Sequence, residues 1–148
     1  GRIEHEMDHP APYEEIEHPV DIALRVWGAS TEELLANAGR GMIHLMLDPT
    51  RVRLLQTRPI QAEGADREAL LVAWLEEILF AFDAGGFAPA ELTEVALTGE
   101  WEARGMLRGE TLDEGRHEVR NVIKAVTWHD IDVSEGPDGL EVVVVFDV

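Results

Sequence analysis

Cysteine is absent from the 148 residues, which excludes disulfides, thiolate zinc sites and a cysteine nucleophile. Basic residues are scarce: 12 Lys and Arg stand against 30 Asp and Glu, a formal net charge of −18. A chain this acidic is repelled by phosphate backbones, so no direct nucleic-acid binding is expected. Cationic partners, metal ions or a basic protein surface suit it better. Long apolar runs are also missing. LLVAWL (70–75) and VVVVF (142–146) fall far below membrane-spanning length, and no signal-peptide pattern is present. No membrane association is expected, and the cytoplasm is the default location. There is no P-loop, G-x-G-x-x-G, G-x-S-x-G, H-E-x-x-H or EF-hand loop, so an enzyme is not the leading class.

The remaining composition is that of a globular protein, 45% hydrophobic and 28% charged, long enough to bury roughly two-thirds of its unfolded surface in one domain. The opening GRIEHEMDHPAP does not begin with Met and is polar; residues 1–12 read as a flexible extension or tag remnant, and 13–148 as the domain. YEEIEHPVDIALRVWG (13–28) alternates from Asp21 onward, with Ile22, Leu24 and Val26 on one side. This predicts a half-buried strand interrupted near its start by His18–Pro19.

STEELLANAGRGMIHLMLD (30–48) predicts a helix with a Ser30/Glu33 capping box and a stop at Pro49. Gly39 and Gly41 either weaken it or admit another backbone closely. RVRLLQTRPIQAEG (51–64) reads as a strand with Pro59 at an edge, and DREALLVAWLEEILFAFDAGG (66–86) as a largely buried helix capped by Asp66. Further strands are expected over 91–99, 101–109, 121–135 and 140–148, the last two joined through the turn EGPDG (135–139). The fold class is α+β: a layered domain of about six mostly antiparallel strands with two helices on the sheet.

Three stretches carry candidate chemistry. LEVVVVFDV (140–148) closes an apolar strand on Asp147, and a buried carboxylate is costly unless something pairs it. Asp147, the terminal carboxylate of Val148 and Asp21 would suit a hard divalent cation if the two strands lie together. The plainer alternative is that Asp21 caps a turn and Asp147 is a solvated end. In NVIKAVTWHDIDV (121–133), Thr127 and His129 are two apart and should share a strand face, with Lys124 on the other. The alternative is a hydrogen-bonded histidine and a rim lysine. In RGETLDEGRHEVRN (108–121), Arg116, His117 and Arg120 form the densest cationic patch; it reads as a solvated loop or an anion site.

At these same stretches the chain resembles the archease family. EHPVDI (17–22) stands where that family has Asp/Glu-His-Thr-Ala-Asp-Ile, and VWGASTEELLANA (26–38) matches its strand, turn and Thr/Ser-x-Glu-Glu helix. LLVAWLEEILFAFD (70–83) is similar to its second helix, GETLDEGRHEVRNVIKAVTWH (109–129) to its late block, and FDV (146–148) to its closing motif. Two departures stand out: Pro19–Val20 replaces Thr-Ala, and Trp128 replaces Tyr.

The resemblance implies a non-catalytic protein cofactor of the GTP-dependent, RtcB-type RNA ligase, promoting ligase guanylylation and repeated turnover in tRNA splicing. It further implies a divalent-metal site, most readily Ca²⁺ with Mg²⁺ or Mn²⁺ as alternatives, at Asp21, Asp147 and Val148. His18, Lys124, Thr127 and His129 are the implied supporting or partner-binding residues. A metal-dependent phosphoester hydrolase using His18, Asp21 and His129 is the alternative function.

Overall fold

The apolar spacing resolves into two helices packed on two antiparallel sheets. The structure is a computed structural model and describes residues 12–17 and 21–148; the sequence readings that fall on residues 1–11 and 18–20, His18 among them, lie outside the described residues. In chain order come β1 (Tyr13–Glu17), β2 (Asp21–Gly28), α1 (Thr31–Met46), a 3₁₀ turn (Pro49–Arg51) and β3 (Gln56–Glu63). They are followed by α2 (Arg67–Asp83), β4 (Phe87–Gly99), β5 (Glu102–Thr111), β6 (Ala125–Val126), β7 (Ser134–Gly136) and β8 (Gly139–Asp147). One sheet has the order β1-β2-β8-β6 with β7 also on β8; the other has the order β3-β5-β4.

Both helix starts follow from their sequences. Ser30 Oγ accepts the Glu33 N–H at 3.2 Å, and Glu33 Oε1 reaches back to the Ala29 N–H at 3.2 Å. Asp66 Oδ1 accepts the Ala69 N–H at 2.8 Å. Each thereby satisfies amide groups that have no partner inside the helix. α1 lies against β2 and β4, and α2 against β3. Trp74 of α2 is fully buried and its indole N–H donates to Leu35 O at 2.9 Å, tying the two helices together. The second sheet makes room for it at Gly105, where an added Cβ would lie 2.8 Å from Trp74 Cη2. Gly39 and Gly41 admit side chains rather than a backbone: Leu92 closes on the first, Leu24 and Tyr13 on the second.

Four readings of the sequence need correction. Residues 13–28 form two strands, because β1 pairs antiparallel with β2 from Tyr13↔Val26 to Glu17↔Ile22. The stretch 51–64 is strand only from Gln56, after Asp48 nucleates the 3₁₀ turn by accepting the Thr50 N–H at 3.0 Å. The strand expected over 91–99 already begins at Phe87.

The largest departure is 121–135, of which only Ala125–Val126 and Ser134–Gly136 are strand. The chain before β6 is spent on the end of α1: Arg120 N–H donates to Met46 O at 2.8 Å and Asn121 Nδ2 to Leu45 O at 2.6 Å. These bonds satisfy carbonyls that a helix end leaves open. After Val126 the chain turns away, with Asp130 in the left-handed region at φ 51. Thr127 and His129 therefore do not share a strand face. The expected hairpin is present, with Gly136 opposite Gly139 at φ 117.

Candidate functional site

The apolar strand that ends on a carboxylate is the centre of its sheet. β8 pairs with β2 along its whole length, Leu24 opposite Val144 and Val26 opposite Val142, which buries one face. The last pair in that register is Asp21 opposite Asp147. Directly opposed residues of an antiparallel pair have Cα atoms about 4.5–5.5 Å apart and point to the same side. Moving from the carboxylates into the sheet, this outer face carries Ala23 and Val145, both buried, and then Arg25 opposite Val143. Arg25 lies 3.8 Å from Glu14 and 3.7 Å from Glu141, so its charge is committed at the far end of the face.

On its other side Asp147 meets β6. Ala125 is its register partner, and its carbonyl accepts the Lys124 N–H at 2.7 Å. Lys124 thus adjoins the carboxylates through its main chain; its side chain is exposed and, among the described residues, pairs with no carboxylate. Thr127 N–H donates to Val145 O at 2.9 Å, and its hydroxyl accepts the His129 N–H at 3.3 Å. The His129 ring, exposed, stands 3.2 Å from Asp130 Oδ2. Asp21, Asp147 and Val148 are therefore brought to one place, with Lys124 and Thr127 on the neighbouring chain.

Two carboxylates opposed across a strand pair repel by a few tenths to about 1 kcal/mol. A hard cation with oxygen ligands reverses that sign. Among the described residues no three His, Cys, Asp or Glu side chains converge as a ligand set. The donor chemistry still fits Ca²⁺ or Mg²⁺, with two carboxylates supplemented by main-chain oxygen at Val148 and by water.

A second polar cluster lies around Glu110, where the sequence suggested a solvated loop or an anion site. Glu110, at the end of β5, is only 3% exposed, and its carboxylate collects four donors. They are Arg116 at 2.8 Å, His117 Nε2 at 2.8 Å, the Arg53 main-chain N–H at 2.9 Å and Arg53 Nε at 3.3 Å. His117 Nδ1 accepts the Asp113 N–H at 2.9 Å, so the proton sits on Nε2 and the buried ring is the neutral donor to Glu110. Arg120 is likewise engaged, donating to His44 O at 3.2 Å. The cationic patch is thus an internal clasp that pins residues 111–120 rather than an anion site. The signal in the sequence was Glu110 itself, six and seven residues ahead of Arg116 and His117.

The Arg116 hydrogen bond, then the Arg53 amide, hold the Glu110 carboxyl well below its ordinary 4.5. A depressed carboxylate contributes stability above its unfolded pKa, and that contribution is lost as pH falls toward the folded value. The difference in melting temperature between wild type and Glu110→Gln should therefore hold constant from pH 7 to about 5 and shrink below about 4. Thermal melts across that range check it; a difference that ignores pH would refute the clasp as an ionised one.

Two antiparallel sheets carrying two helices, with a carboxylate pair where the second and eighth strands meet, define an α+β domain of the archease-like class. Residues 13–148 match the model of the Archease protein family (MTH1598/TM1083). The chain belongs to the archease family. Among its relatives is the protein archease of Methanopyrus kandleri, 41% identical over 130 residues, covering 86% of this chain and 92% of that one. Another is the protein archease of Thermococcus gammatolerans, 32% identical over 129 residues, covering 86% and 91%. The solution structure of Methanobacterium thermoautotrophicum protein 1598 superposes with a TM-score of 0.78 at 26% identity, covering 93% of this chain and 99% of that one.

Proposed function

We propose that this protein is a non-catalytic activator of an RtcB-type, GTP-dependent RNA ligase, acting in the cytoplasm to promote ligase guanylylation and repeated turnover. We further propose that Asp21, Asp147 and the main chain at Val148 hold a divalent cation, calcium foremost, where the two proteins meet. Family membership supports the first part. The observation that carries the second is the Asp21↔Asp147 register, which joins residues far apart in sequence into one pair of hard oxygen donors. When bound, the ion would supply a positive charge at an otherwise anionic edge. The chain's own part is to hold both carboxylates on a rigid strand pair and to present exposed Lys124 beside them. A net charge of −18 keeps the protein from competing for the RNA and complements a basic ligase surface.

The test is guanylylation of the cognate ligase with and without this protein. Stimulation should appear with the protein present and should be lost with Asp21→Ala. Equal stimulation by Asp21→Ala and wild type would remove the carboxylate pair from the mechanism. No stimulation by wild type would remove the activator reading itself. His129 touches Thr127 and Asp130, and no observation favours the phosphoester hydrolase.

A further inference from the structure

β1, α1 and β4 line an open pocket of about 460 Å³ that includes Tyr13, Asn37, Arg40, His44 and Leu92. Tyr13 pairs with Val26, five residues along β2 from Asp21, which places the cavity roughly 17 Å from the carboxylate pair. Its volume lies within the range of small-molecule sites. The sequence builds it from one helix face: Asn37, Arg40, Gly41 and His44 recur at positions i, i+3, i+4 and i+7 of α1. Gly41 is what lets the Tyr13 ring lie against that face, since an added Cβ would sit 3.0 Å from Tyr13 Cγ.

Asn37 spends its side-chain N–H on Trp27 O at 2.7 Å, so the pocket's donors lie at Tyr13, Arg40 and His44. Tyr13 Oη and His44 Nδ1 are hydrogen-bonded to each other. Whichever of the two donates, one donor is left over: the His44 Nε2–H in one tautomer, the phenol O–H in the other. Arg40 gives one N–H to Leu92 O at 3.1 Å, and the rest of its fork remains available. Glu91, also at the rim, is engaged by Arg108 at 3.2 Å.

Arg40 also stands out among the cations. Of the described basic residues, Arg25, Arg51, Arg53, Arg67, Arg108, Arg116 and Arg120 all have carboxylate partners, and Arg58 stacks on Phe87. In a chain with a large acidic excess, Arg40, Arg58, Arg104 and Lys124 lack one among the described residues. Arg104 lines a cavity that also carries Glu77 and Glu94, which disfavours an anion, whereas Arg40 lines one beside the Tyr13–His44 pair.

We infer that this cavity is a binding site for a small oxyanion, a phosphate or carboxylate head held by the Arg40 fork and the spare donor of the Tyr13–His44 pair. The test is an amide chemical-shift titration of the full chain with inorganic phosphate and, separately, acetate. Variants Arg40→Gln and Arg104→Gln are run alongside, both exposed and expected to fold. Saturating shifts confined to the amides near Arg40, His44 and Leu92 are expected, with a dissociation constant on the order of 1 mM. They should be lost in Arg40→Gln and kept in Arg104→Gln, and the ratio of the two affinities assigns the head group. Shifts that never saturate, or that fall equally in both variants, would overturn the site.

Discussion

On the function proposed above, replacing Asp147 by asparagine is expected to raise the stability of the metal-free protein slightly while abolishing any stabilisation by calcium and any stimulation of the ligase. The two effects have opposite signs because the pair has two states. Without an ion, Asp21 and Asp147 are like charges directly opposed across β2 and β8, and neutralising one relieves a few tenths to about 1 kcal/mol. In the proposed ion-bound state the same pair would be the ligand set, and binding to the folded state alone would add about 2.7 kcal/mol at a hundredfold excess over the dissociation constant. Removing a carboxylate removes most of that increment, since affinity for hard cations follows ligand charge. Thermal melts in chelator and in calcium, paired with a guanylylation assay, read all three quantities. A variant that melts lower in chelator yet keeps its full calcium response would contradict the assignment.

Trp74→Ala should cost about 3–5 kcal/mol, a large share of the roughly 5–15 kcal/mol that holds a domain together. The indole is fully buried, reaches across to Leu35 O and fills the space left open by Gly105. Its loss opens a cavity at the meeting of both helices and the second sheet. Trp74→Phe keeps most of the volume and gives up the hydrogen bond, so it should lose much less. Denaturant unfolding of both variants measures this; an alanine variant within about 1 kcal/mol of wild type would show that the junction collapses freely.

The helices were legible because their signals are local. The Ser30/Glu33 box and the Asp66 cap act within a few residues of the helix starts they set. The carboxylate pair was half legible: β8 looked buried and Asp147 looked out of place. That Asp21 faces it depends on a register spanning most of the chain, which no window of sequence contains. Residues 121–135 misled for a related reason. Val122, Ile123 and Val126 look like strand, yet the segment is captured by open carbonyls at the end of α1, a tertiary demand invisible in its own composition. Arg116 and His117 looked like surface charge because nothing in their spacing shows that Glu110 is buried beneath them.

β8 lies between β2 and β6 although it follows both in the chain. Its partner in β2 is separated from it by a loop holding both helices and the entire second sheet. Closing so long a loop is entropically slow, whereas the β4–β5 pairing closes over a handful of residues. The β2–β8 pairing should therefore form last, and the acidic pair with it. A chain that stalls partway through folding has every residue of the site and no site, so only finished molecules can report for duty.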